Sequence, residues 1–282
     1  MNRCKYIWHG FVNYFLRTPL LCFVVIQFTV IFYYLEGLRH FCKAAGQAAT
    51  PYALPFMAGD YYFVVIYGLC CVYFFSGVPF LQSGQLYPLM RMGRKRWMMD
   101  KLLRIWLSAT GLVCLEVLML ALVLMPWIEW SAKWGKIWYS LALTDAGYQY
   151  GVNVTVPYEI VNDYQPLQAM AYTSCLMLLL TALLGMLMFA WSLYFGRSSA
   201  IFVGCSVCVM TLVFANLSDM VRGIAFAAPM EWMNLMLLDG RICSIHPDLR
   251  WVVRGILVCG LILVSLCICR IDHIDISLEK EE

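Results

Sequence analysis

Long apolar stretches separated by short polar segments run through this chain of 282 residues. Six of the stretches reach the roughly 20 residues that a helix needs to cross a hydrocarbon core about 30 Å thick. They run from about Leu20 to Leu38, Tyr61 to Leu81, Ile105 to Pro126, Leu167 to Phe195, Ala200 to Leu217, and Trp251 to Cys269. They lack the alternation with period two that a membrane β-barrel requires. The pattern therefore predicts an all-α integral membrane protein with six transmembrane helices.

The composition agrees with that prediction. Hydrophobic residues make up 62% of the chain and charged residues 13%, and the mean hydropathy is +0.74. Soluble globular proteins carry roughly 25% charged residues, so a disordered chain, a nucleic-acid-binding domain and an ordinary soluble enzyme are excluded. We expect a single transmembrane domain over residues 1–282, with an interfacial helix in 1–19, the six spans in 20–269 and a cytoplasmic tail in 270–282.

The leading segment is amphipathic. Its polar residues recur every four positions, at Lys5, His9, Asn13 and Arg17. Apolar residues fill the opposite face at helical spacing, and they are Trp8, Phe11, Val12, Phe15 and Leu16. A basic helix rich in aromatic residues lies flat on a membrane surface. We therefore predict an N-terminal amphipathic elbow helix, with a simple cytosolic tail as the alternative.

The distribution of Lys and Arg predicts the orientation of the spans. The loop between the second and third spans carries six basic residues and one acid: Arg91, Arg94, Lys95, Arg96, Lys101 and Arg104 against Asp100. The loop after the third span carries Lys133 and Lys136 among four acids. Because cytoplasmic loops carry an excess of Lys and Arg, we expect the six-basic loop in the cytoplasm. An even number of spans then places both termini there.

Two of the opposite loops have unusual compositions. Residues 127–166 are rich in Trp and Tyr, and we expect several of these rings at the membrane interface. Residues 223–240 are apolar but interrupted by Pro229, Glu231 and Asn234. Such a segment is too broken to span a membrane comfortably and too apolar for a solvated loop. A re-entrant segment between spans five and six fits it best.

The cysteines do not form a metal-binding pattern. The chain has 13 of them, and ten fall within the apolar runs, where a thiol behaves as a small hydrophobic group. No second pair stands at zinc-finger spacing from Cys205 and Cys208, so we expect no metal site. Cys42 and Cys243 fall in predicted outer loops, and the sequence does not decide whether they pair.

Several catalytic motifs are absent from the sequence. It contains no G-x-x-x-x-G-K-[ST], so this chain does not bind ATP through a P-loop, and it contains no H-E-x-x-H. The four histidines lie outside the predicted spans, whereas a zinc or serine–histidine intramembrane hydrolase needs histidine within the membrane. Enzymatic activity in this chain is therefore disfavoured.

Glu116 lies in the middle of the third predicted span. An ionisable residue at that depth costs about 2.5–3.5 kcal/mol on insertion scales, so a functional role is the first hypothesis. It would line a substrate pathway. The alternative is a structural glutamate that is protonated, or hydrogen-bonded, and packed against Ser or Thr of a neighbouring helix. The candidate partners for that role are Gln27, Thr29, Ser174 and Thr181.

The six-basic loop is the sharpest positive feature of the sequence. It reads Arg91-Met92-Gly93-Arg94-Lys95-Arg96 and then Lys101-Leu102-Leu103. A solvated loop that only fixes topology is one interpretation, and a docking surface for a cytoplasmic partner is the other. The chain resembles the permease subunits of bacterial ABC transporters of the type 2 exporter fold. The resemblance rests on this loop, the amphipathic leading helix, the tight turn after the fourth span and the interrupted segment at residues 229–234.

The resemblance implies a function and partners. The chain would be one of two permease subunits, homologous or identical, resting on separate ATP-binding subunits that hold ATP and Mg²⁺. Coupling to those subunits would involve Arg91, Gly93, Arg94, Lys95 and Arg96. The transported compound would be a peptide, a drug or a lipid-like molecule exported across the bacterial cytoplasmic membrane. This chain would hold no cofactor and bind no nucleic acid.

Two other functions fit part of the sequence. A membrane-embedded enzyme would act on a lipid-soluble substrate, and it would need paired polar groups at one depth. A non-transporting anchor or sensor would recruit a cytosolic partner through the same basic loop but would need no central pathway.

Overall fold

The computed structural model describes residues 18–77, 93–217, 228–238 and 247–271, together with Val12, Phe15 and Leu16. The regular structure of these residues is helical, apart from one parallel bridge between Ala49 and Ile128. The α-helices are α1 Thr18–Ala45, α2 Leu54–Met57, α3 Tyr61–Phe75, α4 Arg94–Leu124, α5 Gly135–Leu143, α6 Ala146–Gln149, α7 Tyr158–Asp163, α8 Pro166–Phe195, α9 Arg197–Leu217 and α10 Leu249–Ile271.

Five of these helices are long and apolar enough to cross a membrane, namely α1, α4, α8, α9 and α10. The sixth apolar helix, α3, has only 15 residues and ends at Phe75, before the predicted end at Leu81. At 1.5 Å per residue it is about 22 Å long. Asp60 caps its start, where the Asp60 carboxylate accepts a hydrogen bond from the Tyr62 amide at 2.7 Å. The all-helical membrane character is thus confirmed, whereas the count of six full spans stays a prediction.

The first span is longer than its hydropathy predicts. Helix α1 continues to Ala45, so Cys42 lies in a helix and not in the loop where it was expected. The Cys42 side chain is buried and its thiol is free, and Cys243 lies outside the described residues. The expectation failed because hydropathy follows the apolar stretch, whereas the helix continues through Arg39, His40 and Lys43 to its end.

The third span also begins earlier than predicted. Residues Arg94 to Arg104 were expected in the loop before the third span, but they form the first three turns of α4. Lys101 is only 5% exposed, and its Nζ lies 5.3 Å from the centre of the Trp97 ring. An amphipathic pattern explains the difference, because Trp97, Leu102 and Ile105 form a buried stripe on this part of the helix.

Helix α8 is the centre of the bundle. Of its most apolar part 67% is buried, against 17% for α10, and it packs against α3, α4, α9 and α10. A chain reversal follows it, because α8 ends at Phe195 and α9 begins at Arg197. Gly196 between them has φ of +83°, a conformation that residues with a side chain rarely adopt.

A small folded unit covers one end of the bundle. We call it the cap, and it consists of residues 46–60 and 125–165, which join the ends of α1, α3, α4 and α8. The Ala49 amide donates to the Trp127 carbonyl and the Glu129 amide donates to the Ala49 carbonyl, each at 3.0 Å. The cap therefore holds two chain segments together that lie far apart in the sequence.

Two of the cap tryptophans are core residues. Trp138 is 0% and Trp134 2% exposed, and both rings pack on Phe56. Their indole N–H groups and neighbours lie within the cap, so this pair belongs to its core, and the expectation that several rings of residues 127–166 lie at the membrane interface stays a prediction. Trp130 and Tyr148 are exposed.

Residues 228–238 fill a space beside the cap. They contain a 3-10 helix, Pro229–Met233, and most of their side chains are buried against α3, α8 and α9. The Asn234 amide donates to the Gly59 carbonyl at 3.2 Å, and the Trp232 ring packs edge-on against Trp251 at the start of α10. The interrupted segment is therefore part of the protein core.

Phe15, in the leading segment, contacts the bundle. The Phe15 ring lies 5.6 Å from the Phe74 ring, and it approaches Gly111 of α4 so closely that a Cβ there would lie 2.6 Å from the ring. Most of residues 1–17, on which the elbow helix was predicted, lie outside the described residues.

Candidate functional site

Glu116 is enclosed by the bundle. It lies on α4, 22 residues after Arg94, or about 33 Å along the helix axis. Its side chain is 0% exposed, and neither carboxyl oxygen has a hydrogen-bond partner among the described residues. The hydrogen-bonded form of the predicted structural role is therefore not supported by the part of the chain that the structure describes, whereas a protonated, packed glutamate stays a prediction.

The four predicted partners of Glu116 have different positions. Gln27 and Thr181 are buried, Ser174 is half-buried, and Thr29 is exposed and donates to the Val25 carbonyl of its own helix at 2.9 Å. Gln27 resembles Glu116, since neither its amide nitrogen nor its amide oxygen has a hydrogen-bond partner of ordinary geometry among the described residues. The Gln27 amide lies beside the thiol of Cys70, which is a weak hydrogen-bonding group.

Further polar groups of α3 and α8 lie near Glu116. Its carboxyl is within electrostatic range of Tyr67, Cys70 and Cys71 on α3. The Tyr67 hydroxyl is hydrogen-bonded to the Thr181 hydroxyl at 3.0 Å, and both side chains are buried. We call these six residues the polar cluster: Gln27, Tyr67, Cys70, Cys71, Glu116 and Thr181. Residues of α3 are thus within electrostatic range of the Glu116 carboxyl, and they connect it to Gln27 on α1 and Thr181 on α8.

Nothing in the sequence distinguishes Tyr67, Cys70 and Cys71 from their apolar neighbours. They belong to an uninterrupted apolar run, in which a phenol and two thiols read as core side chains. Only the contact of Tyr67 with Thr181 shows that the hydroxyl group is satisfied inside the protein. No group of three or more metal-ligating side chains is present among the described residues.

Several buried hydroxyl groups of the bundle lack the hydrogen bond that exposed hydroxyl groups make. Thr29, Thr110 and Ser265 are exposed and donate to the carbonyl four residues earlier, as hydroxyls in helices commonly do. Ser108, Thr173 and Thr211 are buried, and their hydroxyl groups have no hydrogen-bond partner in the described structure. The described interior of the bundle therefore contains hydroxyl groups that its own hydrogen bonds leave without a partner.

The predicted coupling residues lie at the opposite end of α4 from the cap. Gly93 precedes the helix with φ of +81°, Arg94 is half-buried, and Lys95 and Arg96 are exposed. We call Gly93–Arg96 the basic end. Arg91 lies outside the described residues. Cations in the first turn oppose the helix dipole and cost about 0.3–1 kcal/mol each at an exposed site. Helix stability therefore does not explain this sequence.

The basic end is held firmly by the rest of the bundle. Trp97, in the next turn of α4, is 3% exposed, and its ring lies 6.2 Å from the ring of Phe189 on α8. The Lys101 ammonium group lies over the same ring, 5.3 Å from its centre. The turn of α4 that follows the basic end therefore packs directly against α8.

A second buried carboxyl lies outside the spanning helices. Glu231, in the 3-10 helix beside the cap, is 8% exposed. Burial raises the pKa of its carboxyl to about 7. Its charge consequently changes near neutral pH, far above the usual range of a glutamate.

Comparisons with known proteins identify no relative. The chain matches no protein family, no curated protein and no solved structure. The polar cluster and the basic end are therefore interpreted from their own chemistry.

Proposed function

We propose that this chain is the membrane-spanning permease subunit of a bacterial ABC transporter. It would form the translocation pathway, take energy from a separate ATP-binding subunit and export a peptide, a drug or a lipid-like compound. Two copies, or this chain with a second permease subunit, would complete the pathway. The leading segment would form the elbow helix, α3 the short second of six spans, and residues 228–238 part of a re-entrant segment.

The single observation that carries the proposal is the geometry of α4. One helix of 31 residues, about 46 Å long, exceeds the roughly 30 Å of the hydrocarbon core. It begins with Arg94, Lys95 and Arg96 and continues to Glu116. An exposed cationic surface and an enclosed ionisable group are thus joined by one rigid element. A subunit without its own nucleotide site needs such a connection to receive mechanical work.

The charge of the basic end favours an acidic protein surface as its partner. Complementary charges increase the rate of association and fix the orientation of docking more than they increase affinity. The positive-inside rule would place the basic end in the cytoplasm, where ATP is present, and the cap on the outside. The bacterial cytoplasmic membrane is therefore the proposed location.

The first experiment is purification of the complex from native membranes in mild detergent. An ATP-hydrolysing subunit should remain bound to the full chain, and the chain alone should hydrolyse no ATP. Replacing Arg94, Lys95 and Arg96 together by Gln should release that subunit at least tenfold more readily in 150 mM salt. Thermal unfolding of the variant, compared with that of the unchanged chain, distinguishes a loss of docking from a loss of folding.

A matched control uses lysines of the cap. Lys133 and Lys136 are both exposed, and their replacement by Gln should leave the partner bound. Retention of an ATP-hydrolysing subunit by the basic-end variant would contradict the docking role. ATP hydrolysis by the isolated chain would contradict the permease assignment, and a bound partner without ATPase activity would favour an anchor.

A further inference from the structure

A groove lies on the surface of the bundle between α1 and α3. Its volume is about 260 Å³, near the lower end of the range of roughly 300–1,000 Å³ found for ligand pockets. The lining residues are Phe23, Ile26, Ile66, Leu69, Cys70 and Tyr73. Ile26, Leu69 and Tyr73 are exposed at the rim, and Phe23 and Cys70 are buried at the base. Apart from the Tyr73 hydroxyl and the Cys70 thiol, the groove is hydrocarbon, which suits an alkyl chain.

Cys70 belongs to the groove and to the polar cluster. On one side it lines the groove, and on the other it lies beside the Gln27 amide and within electrostatic range of the Glu116 carboxyl. Cys70 therefore belongs both to the apolar surface site and to the surroundings of the unpartnered polar groups of the interior. A ligand with an apolar tail and a polar head group would span both.

The unsatisfied atoms of the cluster indicate the chemistry of that head group. Glu116 offers two carboxyl oxygens and Gln27 one amide oxygen, and these three oxygens are buried without a partner among the described residues. The Gln27 amide nitrogen is a buried donor, and it lies beside the Cys70 thiol, a weak acceptor. An ammonium group has three donors and no acceptor. A hydroxyl group has one donor, and a carboxylate has none. The ammonium group therefore fits the acceptors best.

The charge balance favours the same head group. No other member of the polar cluster carries a positive charge, and the closest cations in the sequence of α4 are Arg104 and Lys101, about 18 and 22 Å from Glu116 along the helix. A buried carboxyl group without a counter-charge stays protonated in a medium of low dielectric constant, and an ammonium group bound beside it would supply the counter-charge that the ionised form needs.

From the groove, the unpartnered acceptors and the missing counter-charge, we infer that this chain binds amphipathic amines. The alkyl tail would lie between α1 and α3, and the protonated amine would pass Cys70 to reach Glu116 and Gln27. The inference rests on the proposed permease function for its biological meaning, since it names the substrate class. The binding itself requires only this chain.

Photo-crosslinking of the purified full chain tests the inference. The probes are two twelve-carbon compounds with a diazirine in the tail, one ending in a primary amine and the other in a hydroxyl group. The chain is placed in phosphatidylcholine nanodiscs, whose neutral head groups do not attract the amine, and mass spectrometry locates the crosslinks. The amine should label Ile26, Leu69 and Tyr73 at least tenfold more strongly than the alcohol at equal concentration.

Variants of Glu116 connect the preference to its carboxyl group. Glu116→Gln should reduce the ratio of amine to alcohol labelling to about one, whereas Glu116→Asp should keep most of it. Cys70→Phe should reduce labelling by both probes at least fivefold, because the ring fills the base of the groove. Glu231→Gln, which removes a buried carboxyl elsewhere, should change neither probe. Should Glu116→Gln not fold, the wild type and Glu116→Asp still decide.

Three results would overturn the inference: equal labelling by both probes in the wild type, a preference for amine that persists in Glu116→Gln, or crosslinks that avoid the groove. The outcome is independent of the partner subunit. A chain that prefers the amine but co-purifies with no ATPase would retain the binding site and lose the permease function. A chain that binds an ATPase but shows no preference for the amine would retain the permease function and lose the proposed binding site.

Discussion

The cap and the bundle both bury polar side chains, but they satisfy them differently. In the cap, the Thr50 hydroxyl donates to the Trp134 carbonyl at 3.0 Å, and the indole N–H groups of Trp134 and Trp138 donate to the carbonyls of Tyr164 and Thr50 at 2.8 and 3.2 Å. In the bundle, Gln27, Glu116, Ser108, Thr173 and Thr211 have buried polar atoms without a partner in the described structure. The described residues of the cap contain no such atom.

This difference separates polar groups that maintain the fold from polar groups available for function. A buried polar atom without a partner costs about 1–3 kcal/mol, so native proteins contain few of them. Their presence on the long apolar helices, one of which carries the buried Glu116, is the reason for assigning function to the polar cluster. The cap, by contrast, resembles a small structural domain with its own core.

The largest expected effect is the loss of the cap core. Trp138→Ala should lower the free energy of unfolding of the cap by about 3–5 kcal/mol, because it removes a fully buried ring and leaves the Thr50 carbonyl without its donor. Thermal unfolding of the purified chain, followed by tryptophan fluorescence, measures this. The control is Trp130→Ala, whose ring is 73% exposed and whose removal should cost less than about 0.5 kcal/mol. Equal effects of the two substitutions would mean that the cap has no core.

Two threonines allow the comparison to be tested with one chemical change. Thr50→Val should lower the free energy of unfolding by about 1–3 kcal/mol, since the buried carbonyl of Trp134 loses its hydrogen bond. Thr211→Val should have no cost or should stabilise the chain, because its buried hydroxyl has no partner in the described part of the chain. Both substitutions preserve the shape of the side chain. A loss at Thr211 as large as that at Thr50 would show that the bundle satisfies its hydroxyls after all.

Glu231 should give a characteristic pH dependence of stability. Its folded-state pKa of about 7 lies above the ordinary value of 4.5 because of burial. The folded state consequently binds the proton more tightly than the unfolded state, so its contribution to stability is complete below pH 4.5 and is lost as the pH rises through 7. Glu231→Gln should flatten this part of the stability profile, measured by unfolding between pH 4.5 and 8. A profile that the substitution leaves unchanged would contradict the assignment.

Hydropathy alone predicted the positions of the apolar helices well, because lipid imposes a composition on them. The fourth span is an example: it was expected from Leu167 to Phe195, and the helix is Pro166–Phe195. The ends of α1 and α4 were not predictable in this way. The two helices include charged residues such as Arg39, Lys43 and Arg94 near their ends. Hydropathy identifies only the apolar part of a helix and therefore does not show where these polar ends lie.

The site was predictable only in part. Glu116 and Gln27 stand out in the sequence because a carboxyl and an amide are rare in an apolar run. Tyr67 and Cys70 do not stand out, and their role depends on packing: α3 places them beside Glu116, and Cys70 also faces the groove. Which polar groups share a depth in the membrane depends on helix register, and a single sequence does not specify it.

Labelling of lysines from each side of the membrane tests the central claim most directly. Lys95 is exposed at the basic end and Lys133 is exposed on the cap. A membrane-impermeant amine reagent is applied to intact cells and to inside-out vesicles, and mass spectrometry locates the modified residues. Lys95 should be modified only in inside-out vesicles, which expose the side where ATP is present. Lys133 should be modified only in intact cells. Modification of Lys95 in intact cells would contradict a chain driven by a cytoplasmic ATPase through its basic end.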